Sequence, residues 1–337
     1  MKNILVIGGA GYIGSHTVVE LVKAGHRPVI VDNFSTSERQ ALHHLEHITG
    51  QKIAWHEQDY QDSGKLRAVI QQESITGVIH FAAYKAPAES VADPLKYYDN
   101  NVAGFVQLLE VVVAAGIRDF VFSSSAAVYG EPPTDLVTEE TACIPQSPYG
   151  WSKRMDEIIL ADVCRANRQI KGVALRYFNV VGAHDSGELG ELPKGKPQNL
   201  LPIIVQAVVS NTPLTVYGTD YPTPDGTCLR DYIHVVDLAR AHVAALQHLE
   251  KTTQGDYHVY NVGTGKPTSV MELITAFEKV NGVKVPYTIG QRRPGDPVAY
   301  HAVVEKTEHT LGWHAEKTVE DAVRDAWRWQ QHLQSKN

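Results

Sequence analysis

The feature that most restricts the fold of this chain is the run Gly8-Gly9-Ala10-Gly11-Tyr12-Ile13-Gly14, which follows the apolar stretch Asn3-Ile4-Leu5-Val6-Ile7 without a break. A strand that stops on glycines and passes at once into a helical pattern has a tight turn, a backbone open to close approach, and a helix packed hard on the strand. The helix N-terminus then offers free N–H groups and partial positive charge to a pyrophosphate. Taken alone, such a loop also occurs as a plain turn, so its surroundings decide. Eighteen residues past Gly14, Asp32 closes the second apolar run. A carboxylate there accepts from ribose hydroxyls and repels a 2′-phosphate, which favours NAD over NADP. Asp59, after the third run, is either a partner for the adenine amino group or a solvated loop carboxylate.

The apolar runs 3–7, 28–32, 52–56, 77–81, 119–123 and 172–177 alternate with stretches of helical period such as Tyr12–Ala24, Leu95–Ala115 and Gly150–Ala166. That alternation predicts an α/β fold, a doubly wound parallel sheet of the Rossmann kind with ligands beyond the C-terminal strand ends. After about residue 180 the texture changes to Gly- and Pro-rich loops (182–199, 219–227) and shorter elements, with helices near 199–209, 235–249, 268–281 and 318–332. The division expected is a cofactor domain over 1–180 and a smaller α/β substrate-binding lobe over 181–337, some segments of which, 235–249 among them, pack back on the first.

A net charge of −7 with no Lys/Arg-rich run argues against a nucleic-acid partner. No apolar run reaches the length of a membrane span, and no leader-like segment precedes the first strand. Cys143, Cys164 and Cys228 are scattered without metal-ligand spacing, which suits inert thiols in a reducing cytoplasm. His43, His44 and His47 lie at helix spacing and read as a solvated face with no metal site.

The chemistry is carried by Ser123-Ser124-Ser125 at the end of the fifth run and by Tyr149 and Lys153 downstream. Four residues apart, the phenol and the ammonium share one helix face. A free Tyr is a poor base at neutral pH, because its pKa is near 10. A neighbouring Lys⁺ and a nicotinamide⁺ beyond it favour the phenolate, which can then take a hydroxyl proton, with a Ser hydroxyl opposite to bond or relay it.

With these residues in place the chain resembles the extended short-chain dehydrogenase/reductase family, and within it the UDP-sugar 4-epimerases. The resemblance covers nearly the whole length, through GGAGYIGSHT (8–17), DN (32–33), HFAAYKA (80–86), ESV..PL.YYDNN (89–101), FSSSAAVYG (122–130), PQSPYGWSK (145–153), LRYFNVVGAH (175–184), DYPTPDGT.LRDYIHV (220–235) and RRPGDPVAY (292–300). It implies that Tyr149 and Ser125 act on the sugar 4-hydroxyl, while Lys153 holds the nicotinamide ribose and tunes the Tyr. It places Gly8, Gly11, Tyr12, Ile13, Gly14, Asp32, Asn33, Asp59, Phe81, Ala82, Lys85 and Asn100 at the NAD site, with Phe178 against the nicotinamide. Asn179, Asn199, Leu200, Arg230, Arg293 and Tyr300 would contact the UDP-sugar, the two arginines gripping the diphosphate.

The activity implied is interconversion of UDP-glucose and UDP-galactose through a 4-keto sugar, in a homodimer that pairs the helices at about 95–115 and 149–166. Ala127 stands where such epimerases often carry Thr. Other UDP-sugars, pentoses or N-acetylhexosamines, are the nearer alternative. A nucleotide-sugar dehydratase is more remote, because it requires an acid and a base where this chain has Ala126 and Ala127. A non-catalytic NAD-binding protein on the same fold would tolerate loss of Tyr149 or Lys153, and both are present.

Overall fold

The structure is a computed structural model that describes residues 1–252, 255–293 and 297–335. The chain alternates strictly at first: β1 (Asn3–Ile7), α1 (Tyr12–Lys23), β2 (Arg27–Asp32), α2 (Gln40–Thr49), β3 (Ala54–Glu57), α3 (Ser63–Gln72) and β4 (Gly77–His80). The next crossover is broken into α4 (Pro87–Ala92), α5 (Pro94–Tyr97), a π-helical turn at Tyr98–Ala103 and α6 (Gly104–Ala114), before β5 (Asp119–Ser123). A 3₁₀ turn at Ala126–Val128 and the short β6 (Leu136–Val137) lead to α7 (Pro148–Ala166), β7 (Lys171–Tyr177) and β8 (Asn179–Val181). The rest comprises α8 (Leu200–Ser210), β9 (Leu214–Tyr217), β10 (Leu229–His234), α9 (Val235–Lys251), β11 (Tyr257–Val262), β12 (Pro267–Ser269), α10 (Val270–Asn281), β13 (Tyr287–Gly290), β14 (Ala299–Ala302), α11 (Glu305–Leu311) and α12 (Val319–Ser335).

Seven strands form one sheet in the order β11-β7-β5-β4-β1-β2-β3. Every pairing in it is parallel. The inner strands of such a sheet are buried on both faces, which is why β1, β2, β4 and β5 are Val/Ile/Leu/Phe-rich runs, whereas the edge strands β3 and β11 are part-buried and carry polar residues. One face packs on α1, α2 and α9 through Val18, Leu21, Leu45, Leu238 and Leu246. The other packs on α3, α6 and α7 through Leu66, Phe105, Leu108 and Leu160. Each such fully buried side chain contributes about 1.5–3 kcal/mol relative to exposure. The strand order reverses between β1 and β4, and the crevice opening at that point is where a doubly wound sheet binds a dinucleotide.

Residues 235–262 return to this first layer: α9 covers α1 and β11 closes the sheet edge. The remaining elements build a mixed sheet β12-β10-β14-β6, to which β8 adds by pairing with β10. Beside it stands the small parallel pair β13-β9, and α8, α10 and α12 share one core through Leu201, Ile204, Leu273, Phe277 and Val323.

Two expectations are corrected. The single helix expected over 95–115 is interrupted, because Asn101 turns inward at the π-turn to bond the Tyr84 backbone and Ser152. An inserted residue in a helix frequently marks a working site. The triple-His face of α2 is not wholly solvated. His44 is buried, edge-on to Trp329 and His332, and His47 pairs with Glu188 (2.6 Å). The sequence spacing could not show that α12 lies across α2.

Candidate active site

The glycine loop leaves β1 below the reversal point and is held by Asp32. The Asp32 carboxylate accepts from the Ala10 N–H (3.0 Å), the Phe34 N–H (2.9 Å) and the Ser37 hydroxyl (2.8 Å). A Cβ on Gly14 would lie 2.3 Å from the Gly8 carbonyl oxygen, and one on Gly8, at φ +77°, would lie 2.8 Å from the Ala82 nitrogen. Loop, α1 and the end of β4 therefore close on one another only through glycine. Phe81 stacks toward His242 with ring centres 4.6 Å apart, Ile13 packs in the core beside it, and Asn33 donates to Asp59 (3.0 Å). The Tyr12 hydroxyl donates to the Gly182 carbonyl (2.6 Å), fastening the loop to the segment after β8. This cradle fits a dinucleotide: close backbone, a helix N-terminus, and a carboxylate at the end of β2.

Lys85 and Asn199 meet on Glu191, whose Oε1 accepts from both at 3.1 Å. Asn100 donates to the Asn101 amide oxygen (2.9 Å), and its carbonyl accepts from the Tyr60 hydroxyl. Lys85, Asn199 and Asn100 thus gather around the mouth of the crevice through two residues, Glu191 and Asn101, that were not singled out from the sequence. The doubled Asn of the DNN run was a signal for Asn101, and Glu191 had none.

Beyond β5 the backbone opens at Ser124 and Ser125. Ser125 caps the 3₁₀ turn, its hydroxyl accepting from the Ala127 N–H (3.1 Å), and its side chain lies near enough to the Tyr149 phenol to favour the phenolate. Tyr149 begins α7, whose start is set by Pro148 after the capping Ser147, which accepts from the Gly150 N–H (3.2 Å). One turn on, Lys153 is buried, donates to the Ser123 carbonyl (2.9 Å) and lies over the Phe122 ring (4.8 Å).

Burial governs both groups. It pulls the Lys153 ammonium down to about 8, against the pull of Asp156 and Glu157. It pushes the Tyr149 phenol up, with the Ser125 hydrogen bond opposing. In the protein alone, desolvation of the phenolate outweighs the opposing Ser125 contact.

Beneath these residues runs a buried polar network. Arg176 on β7 grips Glu157 on α7 with two parallel bonds (2.8 and 2.7 Å). Glu157 also accepts from the Ser124 hydroxyl (2.7 Å) and Arg154 (3.0 Å). Arg176 passes on to the Tyr129 hydroxyl (3.0 Å), and Tyr129 to Asn261 (2.6 Å). The sequence signal was there: a lone Arg inside the apolar run of β7 needs a buried partner.

Phe178 occupies the break between β7 and β8. Its ring centre lies 5.0 Å from that of Tyr300, and the Tyr300 hydroxyl donates to the Ala126 carbonyl. Tyr300 pairs in register with Arg230 across β14 and β10, so the two stand side by side. Arg230 donates to the Leu229 (2.7 Å) and Pro297 (2.9 Å) carbonyls. Asn179 opens β8 with an exposed side chain, and Leu200 starts α8 against the second core. Arg293 stands apart from this group, its guanidinium 4.0 Å over the ring of Tyr217 at the end of β9. Tyr217 is a further aromatic surface that was not singled out from the sequence. Pro294, Gly295 and Asp296 of the RRPGDPVAY run lie outside the described residues.

The family model "NAD dependent epimerase/dehydratase family" matches residues 4–263. A UDP-glucose 4-epimerase of Neisseria meningitidis serogroup A is 48% identical over 331 residues, covering 98% of this chain and 97% of its own. Among solved structures, a UDP-glucose 4-epimerase from Stenotrophomonas maltophila with bound NAD and formylated UDP-arabinopyranose is 43% identical, with a TM-score of 0.97 and full coverage of both chains. A UDP-glucose 4-epimerase from Bifidobacterium longum in complex with NAD⁺ and UDP is 45% identical at a TM-score of 0.93, covering 99% of this chain and 100% of its own.

Because Arg176 and Glu157 are almost wholly buried, Glu157→Gln strands a guanidinium without its charge partner. The expected cost is about 3–5 kcal/mol of stability. A urea unfolding series reads it as a lower midpoint at unchanged slope. A midpoint equal to the parent's would show that the pair does not hold α7 to β7.

Proposed function

We infer the activity from one premise: the chain belongs to the NAD dependent epimerase/dehydratase family. We propose that it interconverts UDP-glucose and UDP-galactose by inversion at C4 through a 4-keto sugar, with a place in galactose metabolism. The observation that carries the reading is the meeting of Ser125, Tyr149 and Lys153 just past β5, beside the glycine cradle that Asp32 holds.

Gly8, Gly11, Tyr12, Ile13, Gly14, Asp32, Asn33, Asp59, Phe81, Ala82, Lys85 and Asn100 would hold NAD, with Lys153 on its nicotinamide ribose and Phe178 against the ring. Bound NAD supplies a hydride acceptor, and then donor, for C4 of the sugar. Tyr149 takes the proton of the 4-hydroxyl and, once the opposite face of C4 is turned to the cofactor, returns one to the same oxygen, which Ser125 also bonds. Lys153 offsets the charge that the phenol acquires. Arg230 and Arg293 anchor the diphosphate and Tyr217 offers a face to the base, so the nucleotide is gripped while the keto-hexose turns about its bond to the diphosphate. Asn179, Asn199 and Leu200 border that space. The division is functional: 1–180 for the cofactor and 181–337 for the UDP-sugar, with 235–262 lending structure to the first. Ala126 and Ala127 follow Ser125 with methyl side chains, which cannot supply a dehydratase's acid and base. A UDP-pentose is the second substrate to test, because the similar Stenotrophomonas maltophila enzyme was crystallised with one.

A cytoplasmic homodimer completes the reading. The three free thiols suit a reducing setting, and no described helix is long and apolar enough to cross a membrane. Leu95, Val106, Val113, Trp151, Met155 and Ile158 leave an exposed apolar stripe on α5, α6 and α7. A two-fold copy of that stripe makes a four-helix contact.

Three outcomes are expected. The purified protein converts UDP-galactose to UDP-glucose without added NAD or reductant, and Tyr149→Phe lowers that rate by about 10²-fold or more with UDP binding retained. A parent that needs a stoichiometric reductant, or a variant within twofold of it, would refute the mechanism. Light scattering at micromolar concentration gives twice the chain mass, and a monomer mass would remove the α6/α7 pairing. The resemblance to UDP-sugar 4-epimerases implies that Tyr300 walls the sugar pocket near C2, and its packing on Phe178 and Ala126 fills that wall, so added bulk there costs about 1–3 kcal/mol. UDP-N-acetylglucosamine is therefore a poor substrate of the parent, and Tyr300→Cys raises its rate relative to UDP-glucose. An unchanged ratio would place the gate elsewhere.

A further inference from the structure

One buried acid takes no part in the chemistry above. Asp156 lies on α7 one turn beyond Lys153 and on the same face, because residues three apart are helix neighbours. It is 1% exposed, and its Oδ1 has no hydrogen-bond partner. Burying a carboxylate without partners is costly, so its presence calls for a charge to face. The adjacent acid, Glu157, is already saturated by Arg176, Arg154 and Ser124. Lys153 gives its one described hydrogen bond to a neutral carbonyl, that of Ser123. Lys153 and Asp156 stand one helical turn apart without a direct ion pair, so each charge acts on the other across the buried interior between them.

The other groups facing this spot are neutral. From the segment after β3 comes the phenol of Tyr60, which donates to the Asn100 carbonyl and whose pKa burial, then Asp156, pushes up. From β4 comes His80, edge-on to Tyr60 at 5.1 Å, which burial and then the Lys153 charge hold well below its usual pKa. From the π-turn comes Asn101, which carries no charge and is bonded to Ser152. On α7 itself stand Tyr149, Lys153 and Glu157. Lys153 is thus the only cation among these groups and Asp156 the only uncommitted anion.

We propose that Asp156 is a positioning residue of the catalytic pair: its buried carboxylate is the counter-charge that keeps Lys153 an ammonium, and so fixes the upper pH limit at which Tyr149 works. Burial raises the Asp156 pKa well above the usual carboxylate range, Lys153 opposes that, and Glu157 adds to it. The two sites titrate as a pair, each favouring the charged form of the other. Removing the carboxylate lets the Lys153 pKa fall further below its present value near 8. The charge beside Tyr149 is then lost at a lower pH.

The activity arm of the test rests on the epimerase reading, and the stability arm does not. In Asp156→Asn the alkaline limb of the kcat/KM profile moves toward acid by about one pH unit, a tenfold change in the Lys153 proton equilibrium. Asp156→Glu restores the parent limb. In a Lys153→Met background the Asn substitution moves nothing. Independently of activity, each single variant leaves one buried charge unmatched. Denaturant unfolding of Asp156→Asn, Lys153→Met and the double variant then shows the double less destabilised than the sum of the singles. Asp156→Val, which removes the buried polar group altogether, serves the same cycle if the amide does not fold. An alkaline limb that stays in place, or singles whose losses simply add, overturns the proposal. A parent without epimerase activity defeats the functional reading instead and leaves the cycle to decide this one.

Discussion

The structure turns on the paired bonds between Arg176 and Glu157. They join the inward face of β7 to the middle of α7 in a place that water does not reach. Two ions in such a place are tolerable only when their geometry is good and their remaining lone pairs and protons are used. Here they are: Ser124 and Arg154 complete the carboxylate, and Tyr129 extends the guanidinium to Asn261 on β11. One ion pair therefore fixes the helix that carries Tyr149 and Lys153, the strand end that carries Ser125, and the edge strand that returns from late in the chain.

That fixation explains why the reactive groups can be poor acids and bases in isolation. Burial holds the Tyr149 phenol protonated and pulls the Lys153 ammonium toward neutrality, each by disfavouring the charged form. Neither group is poised by itself. Burial sets both, and in a low-dielectric interior a charge brought beside them weighs heavily. A site of this kind is sensitive to what binds beside it, which suits a reaction whose hydride leaves and returns at one carbon while a proton leaves and returns at its oxygen.

The two halves of the site are built in different ways. The cofactor cradle is mostly local: a loop, the helix it opens and the next strand end, with Asp32 tying them together. The side proposed for the sugar is assembled at a seam. The chain leaves the large sheet at Tyr177 and enters the smaller one at Asn179, leaving Phe178 in the gap. Tyr300 arrives there from β14, more than a hundred residues later, and bonds the Ala126 carbonyl. Ala126, Phe178 and Tyr300 pack at this seam in a small cluster of their own, apart from the two cores that flank the large sheet.

The sequence by itself determined whatever depends on neighbours along the chain. Apolar runs of five or six residues broken by Gly, Asp or Ser became β1 to β5 and β7; the inner strands among them are buried on both faces, while β3 at the sheet edge is only part-buried. The glycine spacing marked its own turn, since a Cβ at Gly14 would meet the Gly8 carbonyl. The one-turn spacing of Tyr149 and Lys153 put both on a single face of α7. What the tertiary structure alone decided involves partners far apart in the chain. It broke the helix at 98–103 to bring Asn101 to Tyr84 and Ser152, laid α12 over His44, returned β11 to the first sheet, and set Glu191 between Lys85 and Asn199. Periodicity reports which face of an element is buried but not what covers it, so a buried His, Asp or Glu cannot be told from a solvated one until the covering element is in place.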